Sequence, residues 1–216
     1  MNIPSFFRPF LAVIAVASAA HAAETVELFD GKTLDGWVQY GGKAPYVVED
    51  GAIVGTFVPG KLNSFLATEK EYGDFVLELD IKCGEGGDAN SGVQIRSHHK
   101  SPEESTRVYG YQVEFDPKDP TKCGGIYEEQ GRGWINDIRK TDAGAQVAAA
   151  FKHNDWNHYK IEAKGDHIRT WINGVPATDF HDDKEAKGFI ALQVHNVPKA
   201  ENNQVRFKNI RITELE

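Results

Sequence analysis

Hydrophobic and polar residues alternate one by one along much of this chain, the pattern of strands that bury one face and turn the other outward. In DFVLELDIKC, Phe75, Leu77, Leu79 and Ile81 fall on one side, while Val76, Glu78, Asp80 and Lys82 fall on the other. APYVVEDGAIVGT predicts two short strands around an Asp50-Gly51 turn. WNHYKIEAK, HIRTWI and VPATDF predict a three-strand meander closed by Gly165-Asp166 and Asn173-Gly174. Asn-Gly between alternating strands is a strong hairpin signal, because a type I′ turn needs positive φ at both central residues. GFIALQVHN and NQVRFKNIRITEL add two more strands. No segment has the length and 3.6-residue period of a substantial helix. AGAQVAAAF predicts one or two helical turns, weakened by Gly144. Strands of this length, without βαβ units or repeats, predict an all-β domain of two antiparallel sheets packed face to face. A curved sheet would make its wet face a shallow groove. The stretch from Cys123 to Trp156 is the least regular and is expected to cross one end of that groove.

Three strands carry the same chemistry on alternate residues: SGVQIRSH, YGYQVEFD and GFIALQVHN. One face collects Gln94 and Arg96, Gln112 and Glu114, and Gln193 and His195. The other collects Val93 and Ile95, Tyr111, Val113 and Phe115, and Ile190, Leu192 and Val194. A Gln side chain donates and accepts at once, which suits sugar hydroxyls, and the three ionisable groups suit acid–base chemistry. The plainer alternative is an antiparallel sheet whose outer residues simply face water.

Composition narrows this picture. MNIPSFFR, the apolar FLAVIAVASAA and the small-residue site Ala20-His21-Ala22 read as a cleaved signal peptide over residues 1–22. A single domain is expected over 23–216, in the periplasm or outside the cell. The apolar run is too short for a permanent bilayer anchor, and no cysteine beside the cleavage site offers a lipid attachment. The formal charge of −8 becomes one unit more negative when Arg8 leaves. An acidic chain without basic runs argues against nucleic-acid or anionic-membrane partners and leaves protein partners undetermined. Cys83 and Cys123 are the two cysteines. They are either two thiols or a disulfide closing about forty residues, worth roughly 4 kcal/mol in the chain-entropy picture.

LFDGKTLDGW, NSGVQIR, YGYQVEFD, DWNHYKIEAKGDHIRTWINGV, GFIALQVH and VRFKNIRI occur in this order. Together they resemble the bacterial secreted 3-keto-disaccharide hydrolase domain, over nearly the whole chain after the leader. The resemblance implies a jelly-roll sandwich like those of legume lectins and laminarinases. It also implies action on glycosides already oxidised to a ketone at C3. Two loops depart from the family pattern: the one that begins at His98-His99, and GGIYEEQGRGW.

For such a substrate, a base removes the acidic C2 proton, the enolate expels the leaving group from C1, and water adds to the enone. Glu114 is the candidate base and Arg96 the candidate cation for the enolate oxygen. His195 is the candidate proton shuttle, since imidazole titrates near neutrality. Gln94, Gln112, Gln193 and Asp116 are candidate hydroxyl-binding groups, and Tyr127 and Trp134 candidate stacking platforms. Arg96 and Glu114 equally read as an ordinary cross-strand ion pair. A divalent ion polarising the ketone, held by Glu78, Asp80 or Asp116, is a further alternative that no ligand spacing identifies. Two rivals use the same fold: a lectin-like module that holds a glycan without cleaving it, and a laminarinase-like glycosidase with acids spaced as Glu114, Asp116 and Asp119. Pro117 breaks the strand before the last of these. A structural or protein-interaction domain is the remaining class.

Overall fold

A computed structural model describes residues 24–83, 90–100, 107–199 and 203–215. The leader predicted over 1–22 lies outside the described residues. Strands dominate the chain. The first five are β1 (Thr25–Glu27), β2 (Trp37–Gly41), β3 (Tyr46–Glu49), β4 (Ala52–Thr56) and β5 (Ser64–Tyr72). Next come β6 (Phe75–Cys83), β7 (Ser91–His99), β8 (Val108–Phe115), a 3-10 turn at Pro120–Lys122, β9 (Ile126–Glu129) and β10 (Gly133–Asn136). Helix α1 (Asp142–Ala150) precedes β11 (Asn157–Lys164), β12 (His167–Ile172), β13 (Val175–His181), β14 (Gly188–Val194) and β15 (Gln204–Glu214).

These strands build two antiparallel sheets of a jelly-roll sandwich. One sheet runs β13-β12-β11-β6-β15-β4-β3, with β1 also paired to β15, and the other runs β10-β9-β8-β7-β14-β5-β2. The predicted hairpins form as expected: Asp50 has φ 51° between β3 and β4, and Asn173 has φ 51° between β12 and β13. The core lies between the sheets. From one side it receives Phe75, Leu77, Leu79 and Ile81 with Tyr159 and Ile161; from the other, Val93, Ile95, Tyr111, Val113, Phe115, Leu192 and Val194. Full burial of one such side chain contributes about 1.5–3 kcal/mol, so the alternation of these strands is what fixes which face turns inward.

The stretch from Cys123 to Trp156 is more regular than expected. β9 and β10 extend the seven-stranded sheet, and α1 packs on β13 and the 3-10 turn. The Thr141 hydroxyl accepts from the Gly144 amide and caps α1. Gly144 is a packing requirement there: a Cβ would stand 2.2 Å from the Ile138 carbonyl oxygen. Cys83 and Cys123 are both buried thiols and no disulfide joins them. Among the described residues, no helix is long and apolar enough to cross a membrane.

Candidate active site

The outward face of the seven-stranded sheet is the face on which the glutamines were expected, but their side chains are nearly inaccessible. Gln94, Gln112, Glu114 and Gln193 are all at most 4 % exposed. An apolar cluster of Phe65, Ala67, Val108, Phe189 and Ala191 occupies the neighbouring part of the face. Tyr40 stacks on His99 at 4.0 Å over part of this cluster. What the sequence presents as a solvated surface is a second, smaller buried layer.

Cross-strand register creates the polar part. Gln94 on β7 stands opposite Gln112 on β8, and Gly92 stands opposite Glu114. A Cβ on Gly92 would lie 2.7 Å from Gln112 Cγ, so the missing side chain is what lets Gln112 lie across the sheet. Gln112 Oε1 accepts from Gln94 Nε2 at 2.9 Å and from Gln193 Nε2 at 2.6 Å. Those two donors fix the amide's orientation and leave Gln112 Nε2 to donate to Glu114 Oε2 at 3.0 Å. Asn90 Nδ2 donates to the other oxygen, Oε1. Ser97 Oγ donates to Gln94 Oε1 at 2.7 Å and anchors the far end. Every link points its donor toward Glu114. The carboxylate is aimed by a chain of amides, and Gln193 Oε1 is buried without a partner.

A cavity of about 380 Å³ opens above this network, lined by Gln112, Glu114 and Gln193 together with His195, Tyr127 and Trp134. Burial pushes the Glu114 carboxyl up to about 7, against the opposing pull of the Gln112 and Asn90 hydrogen bonds. Tyr127 and Trp134 meet edge to face at 5.6 Å, and the Arg139 guanidinium lies 5.1 Å from the Trp134 ring. His195 Nδ1 lies 2.7 Å from the Asn196 carbonyl oxygen. A carbonyl only accepts, so Nδ1 carries the hydrogen and Nε2 is the atom left for a ligand.

Three expected site residues are elsewhere or otherwise engaged. Arg96 does not face Glu114. A bulge between Ile95 and His98 puts Arg96 at φ 46°, which breaks the two-residue alternation and swings its side chain between the sheets. There the guanidinium donates to the carbonyls of Gly73, Gly165 and Glu185 and to Asp74 Oδ1 at 2.9 Å, tying turns of both sheets together. Gln94 is wholly buried and acts only through Gln112. Asp116 lies just beyond β8, where its carboxylate takes Lys122 Nζ at 2.6 Å and the amides of Lys118 and Asp119.

Other lining groups extend the site: Asn63, Asn90, Lys122, Glu129 and Arg139. Two follow from the alternation carried one step further, since Asn90 has the parity of Gly92 and Gln94, and Glu129 that of Tyr127. Lys122 gives no such signal, because the DPKDPTK turn brings it back beside Glu114 after the strand has ended. Burial also raises the Glu129 carboxyl above the ordinary glutamate range. The acids proposed to hold an ion do not converge. Glu78 and Asp80 lie on the outer face of the other sheet, bonded to His158, Arg211 and Asn209. Among the described residues, His167, Asp179 and His181 gather on β12 and β13, also on that sheet.

The family model of the 3-keto-alpha-glucoside-1,2-lyase-like domain matches residues 24–213. The chain belongs to this family. Membership supports a carbohydrate-related function for the chain. Solved structures share the fold of this 3-keto-alpha-glucoside-1,2-lyase-like domain. A provisionally assigned glycosyl hydrolase from Parabacteroides distasonis superposes with a TM-score of 0.61 at 23 % identity, covering 89 % of this chain and 94 % of that one. The carbohydrate-binding module CBM66 from Bacillus subtilis gives 0.61 at 18 %, covering 83 % and 96 %. A prokaryotic β-1,3-1,4-glucanase (lichenase) derived from a mouse hindgut metagenome gives 0.57 at 14 %, covering 90 % and 99 %. No curated protein matches the chain.

Proposed function

We propose that this protein cleaves 3-keto glycosides, by proton abstraction at C2, elimination of the C1 substituent and hydration of the enone. The observation that carries the proposal is Glu114. It is a carboxylate 4 % exposed, held on both oxygens by amide donors, raised to about 7 and open to a cavity with two aromatic rings. A base of that strength suits a proton made acidic by a neighbouring ketone, and positioned general bases contribute about 10²–10⁴-fold. Glu114 takes the C2 proton, and the electron pair moves to O3 as the enolate forms. Lys122, anchored by Asp116, and Arg139 supply the positive charge that Arg96 does not. Collapse of the enolate breaks the C1–O bond, and protonated His195 delivers a proton from Nε2 to the departing oxygen. Water then adds its hydroxyl to C1, and C2 regains a proton. We propose in addition that residues 1–22 are a leader that sends the protein to the periplasm or outside the cell.

The lectin-like reading draws on the amides, which would bind hydroxyls equally well, and on the Gln193 Oε1 atom that awaits a donor. Substitution separates the two readings. Glu114→Gln is expected to bind a 3-keto disaccharide within a fewfold of wild type and to lose turnover by at least 10²-fold. Equal turnover by the amide variant would remove Glu114 from the reaction. The laminarinase-like reading loses its acids: Asp116 is spent on Lys122, and Asp119 bonds to Thr121 in the turn. Glu129, the other buried acid of the cavity, pairs opposite Gly110, four residues from Glu114 along β8. That places their Cα atoms roughly 13 Å apart, which does not favour the roughly 5–5.5 Å carboxyl pair of a retaining glycosidase.

A further inference from the structure

A second cavity, of about 440 Å³, adjoins the first, and His195 lines both. Its walls are Ala44, Val58, Pro59, Leu62 and Val194, with backbone from the Gly41-Gly42 segment. The volume falls in the range of small-molecule sites. If the oxidised ring lies over Glu114, the atom leaving C1 departs on the His195 side, and whatever it carries enters this space.

Most of the backbone groups of the Gly42–Ala44 and Gly60 walls are already used. Gln39 Nε2 donates to the carbonyls of Gly42 and Ala44. The Ala44 amide goes to Ser64 Oγ at 2.9 Å, and the Gly42 amide to the Asn63 carbonyl at 2.8 Å. Asn196 Nδ2 takes the Gly60 carbonyl at 3.0 Å, and the Gly60 amide goes to Val197. A second sugar would bring several hydroxyls into a space with few groups left to meet them, and a buried hydroxyl without a partner costs about 1–3 kcal/mol. A flat aromatic ring brings no such demand and gains from the apolar walls. The same hydrogen bonds fix the walls in advance, so a rigid ring meets a preformed slot.

We infer that this second cavity is an aglycone site selecting 3-keto glycosides whose leaving group is aromatic over 3-keto disaccharides. The inference rests on the proposed function and names its substrate class. The chemistry agrees: a phenol, with a pKa near 10 as in tyrosine, leaves as an anion more readily than a sugar alcohol.

The test compares kcat/KM for the 3-keto forms of phenyl glucoside and of a glucose disaccharide. Wild type is expected to prefer the phenyl substrate by at least tenfold. Leu62→Gln, which places an amide in the apolar wall, is expected to lower that preference at least fivefold, mainly through KM of the phenyl substrate. Leu62→Trp, which fills the cavity, is expected to slow the phenyl substrate as well. Melting curves establish that each variant is folded, and the wild-type ratio stands without either. Cleavage of both substrates at equal rates, or a ratio unmoved by both substitutions, overturns the inference while leaving the 3-keto glycoside activity intact. Cleavage of neither substrate overturns the activity and the inference together.

Discussion

Replacing Glu114 by glutamine tests whether burial really holds this carboxyl near neutrality. The ordinary glutamate value is 4.5 and the folded value about 7, because burial disfavours the charge more than Gln112 and Asn90 favour it. A carboxyl raised on folding binds its proton more tightly in the folded state. Its contribution to stability is therefore fully present below about 4.5 and is lost as pH rises through about 7. At 1.36 kcal/mol per unit, the loss across that window is about 3 kcal/mol. Glu114→Gln cannot ionise and escapes it. The substitution has its own cost: an amide NH₂ replaces one oxygen and faces a donor from Gln112 or Asn90, for about 1 kcal/mol or more. The variant is thus expected to be less stable than wild type at pH 4.5 and more stable at pH 8, by about 2 kcal/mol. Urea unfolding at half-unit steps from pH 4.5 to 8 measures both curves, and their difference isolates this residue. Parallel curves would refute the assignment of Glu114 as a buried carboxyl poised near neutral pH.

The same ionisation predicts that kcat/KM on a 3-keto glycoside rises with pH through an apparent pKa near 7 on its acid limb and falls again where His195 loses the proton it must donate; a profile without that acid limb would exclude Glu114 as the base. Arg96→Met is expected to cost about 3 kcal/mol or more in denaturant titrations, since it removes the donors that tie Gly73, Asp74, Gly165 and Glu185 together, while folded protein retains its kcat/KM within twofold. Gly92→Ala is expected to cost about 1–3 kcal/mol by overpacking and to lower kcat/KM at least tenfold, because its Cβ displaces Gln112 from Glu114. Burial pushes the Cys123 thiol up to about 12, so iodoacetamide at pH 7.5 is expected to spare Cys123 in the native protein and to label both cysteines after unfolding without reductant. Failure to label after unfolding would reveal a disulfide.

Strands that bury one face and leave the other half-exposed were the easiest to read. β6 is the example: five buried residues alternate with four that are only partly buried. β5 gave no such signal, because Ser64 through Thr68 are all buried, the core lying on one side and the covered outer face on the other. Burial on both faces erases a period of two. The glutamine-rich face was legible for the same reason that β6 was, since parity placed Gln94, Gln112, Glu114 and Gln193 together. Parity failed at Arg96, where one extra residue in β7 inverts every later assignment. It also ended at Phe115, so neither the engagement of Asp116 nor the arrival of Lys122 could be read from alternation. Exposure was the deeper error. A sheet face written in glutamine and glutamate looks wet in sequence, whereas its side chains bond to one another and lie almost inaccessible at the base of a cavity, with a raised carboxyl.

The central claim is that a carboxylate removes the C2 proton of a sugar carrying a ketone at C3. A 3-keto disaccharide and its unoxidised parent, each incubated with the protein in deuterated water and followed by NMR, test it most directly. The account predicts that the oxidised sugar alone is cleaved, and that its released ring carries solvent deuterium at C2 from the first turnovers onward. Cleavage of the parent, or a cleaved keto sugar that keeps its original C2 proton, would contradict it.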